Sequence, residues 1–318
     1  MNQRIIFMGT PPFAVASLNA LMAADMEVAA VVTAPDRPAG RGQQLRMSAV
    51  KERALELGLP VLQPTNLKAP EFHDQLNAFH ASLYIVVAFR MLPELVWARP
   101  PLGTVNLHAS LLPDYRGAAP INWAVINGEQ RTGVTTFLLN GRIDTGDILL
   151  REQVEIGAGE SAGSVHDRLM HIGAALLTRT AKNIFDGTST PVPQDEFVGG
   201  ALHAAPKLTP ENCRIDWNAS AHRIHDHIRG LSPYPGAWTR WMEAGRPAQQ
   251  FKILAAAPAR PQGKLPATGA VEIHGEQLYI GCGTGCIRAM EVQMEGKRPM
   301  EAGAFARGLH RREGITVE

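Results

Sequence analysis

Residues 4–35 read RIIFMGTPPFAVASLNALMAADMEVAAVVTAP, in which two short apolar runs flank a stretch with helical spacing. The runs RIIFMG (4–9) and VAAVVTAP (28–35) are rich in Val and Ile and do not alternate strictly with polar residues. Such runs are typical of strands that are buried on both faces of a parallel sheet. Because the stretch between them predicts a helix at 12–24, we interpret this segment as a β-α-β unit.

The same alternation continues through the first half of the chain. Further strands are predicted at 61–64, 82–89 and 104–109, and further helices at 48–58, 69–79 and 92–98. This repeated order predicts an α/β domain with a doubly wound, mostly parallel, Rossmann-like sheet. Two more strands, at 132–139 and 147–156, are close enough in sequence to form a hairpin at the sheet edge. The first turn, GTPPF, lacks the GxGxxG pattern of dinucleotide-binding proteins.

The second half has a different pattern. A long amphipathic helix is predicted from Ser161 to Phe185, and a Pro- and Gly-rich stretch follows it. After a helix near 218–230 come short strands near 236–242, 249–257, 268–273, 277–281 and 286–294. Their spacing predicts a small antiparallel, OB-like β-barrel. We therefore expect a first domain at 1–187, a linker at 188–206 and a C-terminal barrel domain at 207–318.

Length, charge and cysteine content narrow the class of protein. The chain has 318 residues, which favours two domains, and a net charge of +1. Residues 1–205 carry 16 Lys and Arg against 19 Asp and Glu, whereas residues 206–318 carry 15 against 11. A basic second half favours a polyanionic partner. Three cysteines exclude a disulfide scaffold, and no signal peptide or membrane span is evident, so we predict a cytoplasmic protein.

The strand TVNLHA (104–109) carries a polar pair in an apolar context. Asn106 and His108 are two residues apart, so both side chains project from one face of the strand. In open α/β sheets, ligands bind beyond the carboxyl ends of the strands. The pair is therefore either a set of hydrogen-bond donors at a cleft or two satisfied polar residues at the end of a strand.

A carboxylate downstream favours the functional interpretation. Asp144 lies in the Gly-flanked turn GRIDTGDIL (141–149), between two predicted strands, where it could reach the imidazole. No Ser or Cys nucleophile stands next to His108. An amide, an imidazole and a carboxylate without a nucleophile favour direct transfer of an acyl group over a covalent enzyme intermediate.

Two longer stretches, NLHASLLPDYRGAAPINWAVINGE (106–129) and TGVTTFLLNGRIDTGDIL (132–149), are similar to the signature of the folate-dependent formyltransferase family. Three others, GTPPFAV, APDRPAGRGQQL and RIDWNASAHRIHDHIRGLSPYPGAW, resemble the branch of that family that acts on initiator tRNA. The resemblance covers nearly the whole chain. It implies transfer of the formyl group of 10-formyltetrahydrofolate to the α-amine of methionine esterified to initiator tRNA, for translation initiation, by a monomer that needs no metal.

The resemblance also implies roles for particular residues. Asn106 and His108 would donate to the oxyanion of the tetrahedral intermediate, and Asp144 would orient the imidazole; His108 is equally open to a role as acid. Folate would contact Ser110, Leu111, Leu112, Pro113, Phe89, Arg90 and Leu92. The tRNA acceptor end would contact the basic loop at 36–51, through Arg37, Arg41, Arg46 and Lys51.

Other classes of function stay open at this point. A formyltransferase that acts on a small amine and a 10-formyltetrahydrofolate hydrolase would both share the site. A nucleotide- or RNA-binding module without chemistry is a third alternative, although Asn106, His108 and Asp144 together argue against it. HRIHDH (222–227) and the CGTGC stretch with Cys282 and Cys286 lack partners at metal-ligand spacing, so we predict a solvated helix face and buried side chains there.

Overall fold

The computed structural model describes residues 2–39, 44–261, 263–309 and 313–318. Two compact units are distinguished in it. The first comprises Met1–Gly117, Thr132–Val154 and Asp167–Ala204, and the second comprises Ala118–Arg131, Glu155–His166 and Ala205–Glu318. The units thus interleave along the chain, and the domain boundaries expected at 187 and 207 stay a prediction.

The first unit is built on a seven-stranded sheet. Its seven strands, a two-stranded hairpin, one further short strand and the helices are β1 (Ile5–Gly9), α1 (Pro12–Ala23), β2 (Val28–Val32), β3 (Arg37–Ala39), β4 (Gln44–Arg46), α2 (Ala49–Glu56), β5 (Val61–Leu62), α3 (Pro70–Ala78), β6 (Leu83–Val87), α4 (Glu94–Trp97), β7 (Thr104–His108), β8 (Arg116–Gly117), α5 (Pro120–Ile126), β9 (Arg131–Leu138), β10 (Ile148–Glu155) and α6 (Ala162–Phe185). Helix α5 itself falls in the second unit.

The strand order is β10-β9-β7-β6-β1-β2-β5. Strands β5, β2, β1, β6 and β7 run parallel, whereas β9 runs antiparallel to β7. All five residues of β1, β2 and β6 are buried, as expected for strands covered on both faces. From β1 the chain adds β2 and β5 on one side, and it then crosses to the other side of β1 to form β6 and β7. The strand order therefore reverses between β1 and β6, and ligands bind at the carboxyl ends of the strands at such a topological switch point. The predicted doubly wound sheet and its edge hairpin, β9-β10, are confirmed.

The second unit contains a closed β-barrel. Its elements are β11 (Ala204–Ala205), α7 (Ala221–Gly230), β12 (Ala237–Glu243), β13 (Gln249–Ala259), β14 (Ala270–His274), β15 (Gln277–Gly281), β16 (Cys286–Met294), β17 (Met300–Glu301), α8 (Ala302–Arg307) and β18 (Ile315–Val317). Six strands follow the order β13-β12-β18-β14-β15-β16, and pairing of β13 with β16 closes the ring. The predicted antiparallel barrel is confirmed. Trp241 and Phe251 of the barrel core form an aromatic cluster with Phe305 of α8, which packs against that core.

Some elements differ from the sequence-based expectation. The basic stretch expected to be a loop contains the hairpin β3-β4, in which Arg37 lies opposite Arg46. Helices α5 and α8, of seven and six residues, were not predicted, because fewer than two helical turns show no repeated spacing of apolar residues. Within the described part of the chain, no helix combines the length and the apolar character that crossing a membrane requires.

Candidate active site

Strand β7 carries the polar pair to the carboxyl edge of the sheet. It ends at His108, so Asn106 and His108 share one face, with His108 opposite Thr135 of β9. His108 is buried, with 7% of its surface exposed, while Asn106 is partly exposed. Among the described residues we find no hydrogen-bond partner for the Asn106 amide. Its N–H groups are therefore available to a ligand.

The imidazole of His108 lies between a backbone carbonyl and a carboxylate. Its Nε2 is 2.9 Å from the carbonyl oxygen of Tyr115, and its Nδ1 is 3.8 Å from Oδ2 of Asp144. A carbonyl oxygen only accepts hydrogen bonds, so Nε2 carries a hydrogen. The second distance exceeds that of a direct hydrogen bond. The structure thus brings two of the predicted catalytic residues together as an imidazole and a carboxylate that face each other at close range.

Asp144 is held by the turn in which it lies. Its φ of +53° is in the left-handed region, which Asp tolerates better than most residues. Its Oδ2 accepts a hydrogen bond of 3.0 Å from the backbone N–H of Gly117. Within the turn, Oδ1 of Asn140 accepts from the N–H of Arg142 and from the hydroxyl of Thr145, both at 3.0 Å. A cleft of about 620 Å³ opens beside this turn.

The predicted folate segment follows β7 and is fixed by Thr135. The hydroxyl of this buried residue donates to the carbonyl of Ser110 at 2.7 Å and accepts from the N–H of Leu112 at 3.2 Å. Ser110 in turn donates to the carbonyl of Asp114 at 2.6 Å, and Leu112 packs on Phe137. The side chains of Ser110, Leu112 and Pro113 are buried, and that of Leu111 is partly exposed. Backbone groups and Leu111 are therefore what this segment presents to a ligand.

The other predicted folate residues follow β6. Phe89 and Leu92 are partly buried and pack against the same core cluster of the first unit. Arg90 is exposed, and its guanidinium donates to the backbone carbonyls of Pro64 and Thr65. Partial desolvation and the neighbouring positive charge of Arg37 lower the pKa of this guanidinium. Arg90 thus lies close to the predicted tRNA-binding loop as well as to the end of β6.

The basic loop is anchored at its base. Nζ of Lys51 lies 2.5 Å from Oδ2 of Asp36, and hydrogen bonds from Lys51 and Gln63 lower the pKa of that carboxyl. Arg37 and Arg46 are paired across the β3-β4 hairpin, so two cations stand side by side there. Arg41 lies outside the described residues. Lys51 is therefore an ion-paired residue of the loop base, and Arg37 with Arg46 forms its cationic part.

Two metal-site candidates from the sequence have other contacts. Both ring nitrogens of His225 lie within hydrogen-bond distance of backbone carbonyls, of Ala158 and Ala256. Cys282 and Cys286 are buried free thiols, and burial raises the pKa of Cys282 to about 11. A thiol with a raised pKa is a poor metal ligand, because metals bind the thiolate.

Sequence reasoning missed three residues that shape the site. Thr135 had a faint signal, since a threonine within an apolar strand opposite His108 is a plausible inward-facing hydroxyl. Tyr115 acts through its backbone carbonyl, and Gln194 comes from a stretch that reads as a linker. Neither residue type nor local pattern distinguishes them.

Comparison with known proteins places the chain among formyltransferases. The model of the Formyl transferase family matches residues 3–181, and that of the Formyl transferase C-terminal domain matches residues 207–310. A methionyl-tRNA formyltransferase of Bacteroides fragilis is 45% identical over 317 residues, covering 99% of this chain and 98% of the relative.

Solved structures with low sequence identity share the fold. The N-formyltransferase from Helicobacter canadensis, in complex with folinic acid and dTDP-3-aminofucose, superposes with a TM-score of 0.64 at 19% identity, covering 92% of this chain and all of that one. HypX from Aquifex aeolicus, in complex with tetrahydrofolic acid, gives 0.62 at 18% identity, covering 95% of this chain and 46% of that one.

Proposed function

This chain belongs to the formyl transferase family, and we propose that it is a methionyl-tRNA formyltransferase. It transfers the formyl group of 10-formyltetrahydrofolate to the α-amine of methionyl initiator tRNA, giving the formylated tRNA that initiates translation. The observation that carries the proposal is the placement of Asn106, His108 and Asp144 around the carboxyl end of β7, in a chain related over nearly its full length to enzymes of that name.

The proposed chemistry uses these three side chains. The neutral α-amine attacks the formyl carbon, and the carbonyl electron pair moves to oxygen. The amide of Asn106, for which the described part of the chain offers no partner, donates to that oxyanion; losing such a donor costs on the order of 10²–10³ in rate. The amine then loses a proton as the bond from carbon to N10 breaks and N10 gains one. Asp144 orients His108 and accepts the amine proton through a water. An α-amine with a pKa near 8 is neutral in an appreciable fraction at cellular pH, so the nucleophile needs no deprotonation before attack.

The folate is proposed to lie along the carboxyl edge of the first unit. Backbone groups of residues 110–113 and the side chain of Leu111 face it from one segment. Phe89, Arg90 and Leu92 contribute from the end of β6. Support comes from Thr135, which locks residues 110–112 in one conformation and so prepares their backbone for a ligand. We propose 10-formyltetrahydrofolate as the donor and no metal.

The tRNA is proposed to meet the basic loop and residues 207–318. Arg37, Arg41 and Arg46 contact phosphates of the acceptor end, and Lys51 supports the loop through Asp36. The charge excess after residue 206 gives a second contact whose strength falls with salt, because phosphate contacts release counterions. We propose that the protein acts as a cytoplasmic monomer.

One assay separates this function from its alternatives. The protein is incubated with 10-formyltetrahydrofolate and charged initiator tRNA, and formyl incorporation into tRNA is followed beside release of tetrahydrofolate. Equal incorporation and release supports the proposal. Release without incorporation indicates a hydrolase. In a parallel incubation that replaces tRNA by a small amine, such as glycinamide ribonucleotide or an amino sugar, incorporation indicates a small-molecule formyltransferase.

A further inference from the structure

The 3-10 turn at Gln194–Phe197 carries a buried amide. Gln194 is 4% exposed, although it lies between Pro193 and Asp195 in a stretch that reads as an exposed linker. Burying an amide costs free energy unless its hydrogen bonds are satisfied. The hydrogen-bond partners of the Gln194 side chain therefore indicate which segments this turn connects.

The amide of Gln194 bonds in two directions. Its Nε2 donates to the backbone carbonyls of Asp144, at 2.9 Å, and of Gly146, at 2.8 Å. Its Oε1 accepts from Nε and Nη2 of Arg116, at 3.1 and 2.6 Å. Both donor hydrogens and the acceptor oxygen are thus used. Glutamine has the side chain that supplies two donors and an acceptor at this reach without a charge.

These contacts join the two segments that hold the facing imidazole and carboxylate. Arg116 stands between Tyr115, whose carbonyl accepts from His108, and Gly117, whose N–H donates to Asp144. Gln194, which accepts from Arg116, also donates to the backbone carbonyl of Asp144. One amide therefore sets how the loop after β7 and the turn before β10 lie relative to each other.

We propose that Gln194 is a positioning residue for formyl transfer, which acts by holding Asp144 against His108 and Gly117. This inference rests on the proposed function, in that it assigns the Asp144–His108 pair to the reaction. Gln194 touches neither substrate in this scheme. A displacement of catalytic groups by about 1 Å costs on the order of 10²-fold in rate.

Two variants test the role. Gln194→Met keeps the size and removes all four hydrogen bonds, whereas Gln194→Glu keeps the acceptor for Arg116 and removes the amide donors to Asp144 and Gly146. Both should lower kcat at least tenfold with the KM values for tRNA and folate within about twofold. Glu196 is exposed in the same turn, and Glu196→Gln exchanges the same two isosteric side chains as Gln194→Glu, so it is the matched control and should retain full activity.

A double-mutant cycle distinguishes positioning from simple destabilisation. If Gln194 acts through Asp144, then Gln194→Met should cost less than twofold further in an Asp144→Ala background, measured by single turnover. A repeated loss of tenfold or more in that background would overturn the proposal. Amide exchange supplies a readout that is independent of activity: the N–H of Gly117 should exchange faster in Gln194→Met, and an unchanged rate would count equally against the proposal.

The positioning role of Gln194 can be tested even if the proposed tRNA substrate is wrong. If the wild-type protein formylates no tRNA, the proposed substrate is wrong, and the same variants are then compared in release of tetrahydrofolate. Loss of that release in Gln194→Met, with faster exchange at Gly117, would still support the positioning role. Wild-type kcat in both variants would refute the role whichever acceptor is used.

Discussion

His108 donates a hydrogen bond from Nε2 to the carbonyl oxygen of Tyr115, at 2.9 Å. This contact fixes the neutral imidazole as the tautomer with its hydrogen on Nε2, and leaves Nδ1 toward Asp144. The carbonyl is held in turn: Tyr115 has a φ of +58°, and its N–H donates to the carbonyl of His203 at 2.8 Å. A proton added to the ring therefore goes to Nδ1, on the side of the carboxylate.

The tautomer is directly measurable. With ¹⁵N-labelled histidine, we expect the neutral His108 ring of the folded protein to show a protonated Nε2 and an unprotonated Nδ1. The reason is that the Tyr115 carbonyl accepts only a donor. Resonances are assigned with His108→Gln. Observation of the opposite tautomer would mean that the contact with Tyr115 does not persist in solution.

The three polar residues around β7 should be required for turnover. Asn106→Ala, His108→Ala and Asp144→Ala should each lower kcat by about 10²-fold or more. Loss of the Asn106 amide removes a donor to the developing oxyanion, and loss of His108 or Asp144 removes one partner of the facing imidazole and carboxylate. Folding should be retained, as circular dichroism would show, because none of the three is part of the apolar core. Near-normal turnover in any one of them would remove it from the proposed mechanism.

The fold was more predictable from sequence than the site. Runs such as Ile5–Gly9 and Val28–Val32 are apolar throughout, and burial on both faces of a sheet demands that local pattern. The pair Asn106 and His108 was detectable because two polar side chains broke such a run. Asp144 was detectable through its Gly-flanked turn.

Other features depend on contacts between distant parts of the chain. Gln194 bonds to residues about 50 and 78 positions away, and nothing near it in sequence signals a partner. The sequence predicted that the segment containing Ser110 and Leu112 contacts folate, but it did not show that these two side chains are buried in the protein. Long-range packing determines that orientation, so local pattern cannot reveal it.

The turn around Asp144 should tolerate no side chain at Gly146. A Cβ there would lie 1.6 Å from the carbonyl oxygen of Leu138, which is backbone and cannot move aside cheaply. We expect Gly146→Ala to lower Tm by several degrees and kcat at least tenfold. Gly141→Ala, in the same turn but in open space, is the control and should leave Tm unchanged. Equal Tm values for the two variants would contradict the tight turn.

The basic loop should act on tRNA alone. Arg41→Ala should lower kcat/KM for charged tRNA at least tenfold, because a guanidinium proposed to bind the acceptor end is lost. A tenfold loss corresponds to about 1.4 kcal/mol of activation free energy. Folate affinity, by calorimetry, should barely change. Lys68→Ala, an exposed cation of the first unit, serves as control. Parallel losses for tRNA and folate would mean that the loop shapes the folate pocket instead.

The last prediction concerns acid stability and His227 of α7. Its Nε2 is inaccessible to solvent and has no hydrogen-bond partner among the residues that the structure describes, while the imidazole hydrogen-bonds to the backbone of Cys213. Burial, with a smaller effect of Arg223, lowers the pKa of His227 below its usual 6.5. As pH falls below 6.5, the unfolded chain takes up a proton that the folded chain resists. The free energy of unfolding therefore falls from that pH down to the folded pKa.

His227→Asn removes the titration and keeps an amide donor in place of Nδ1. Urea unfolding at pH 7, 6 and 5 should show a shallower loss of stability in this variant than in the wild type. His222→Asn, on the exposed face of the same helix, should follow the wild-type slope. A His227→Asn slope as steep as that of the wild type would assign the acid sensitivity to another group.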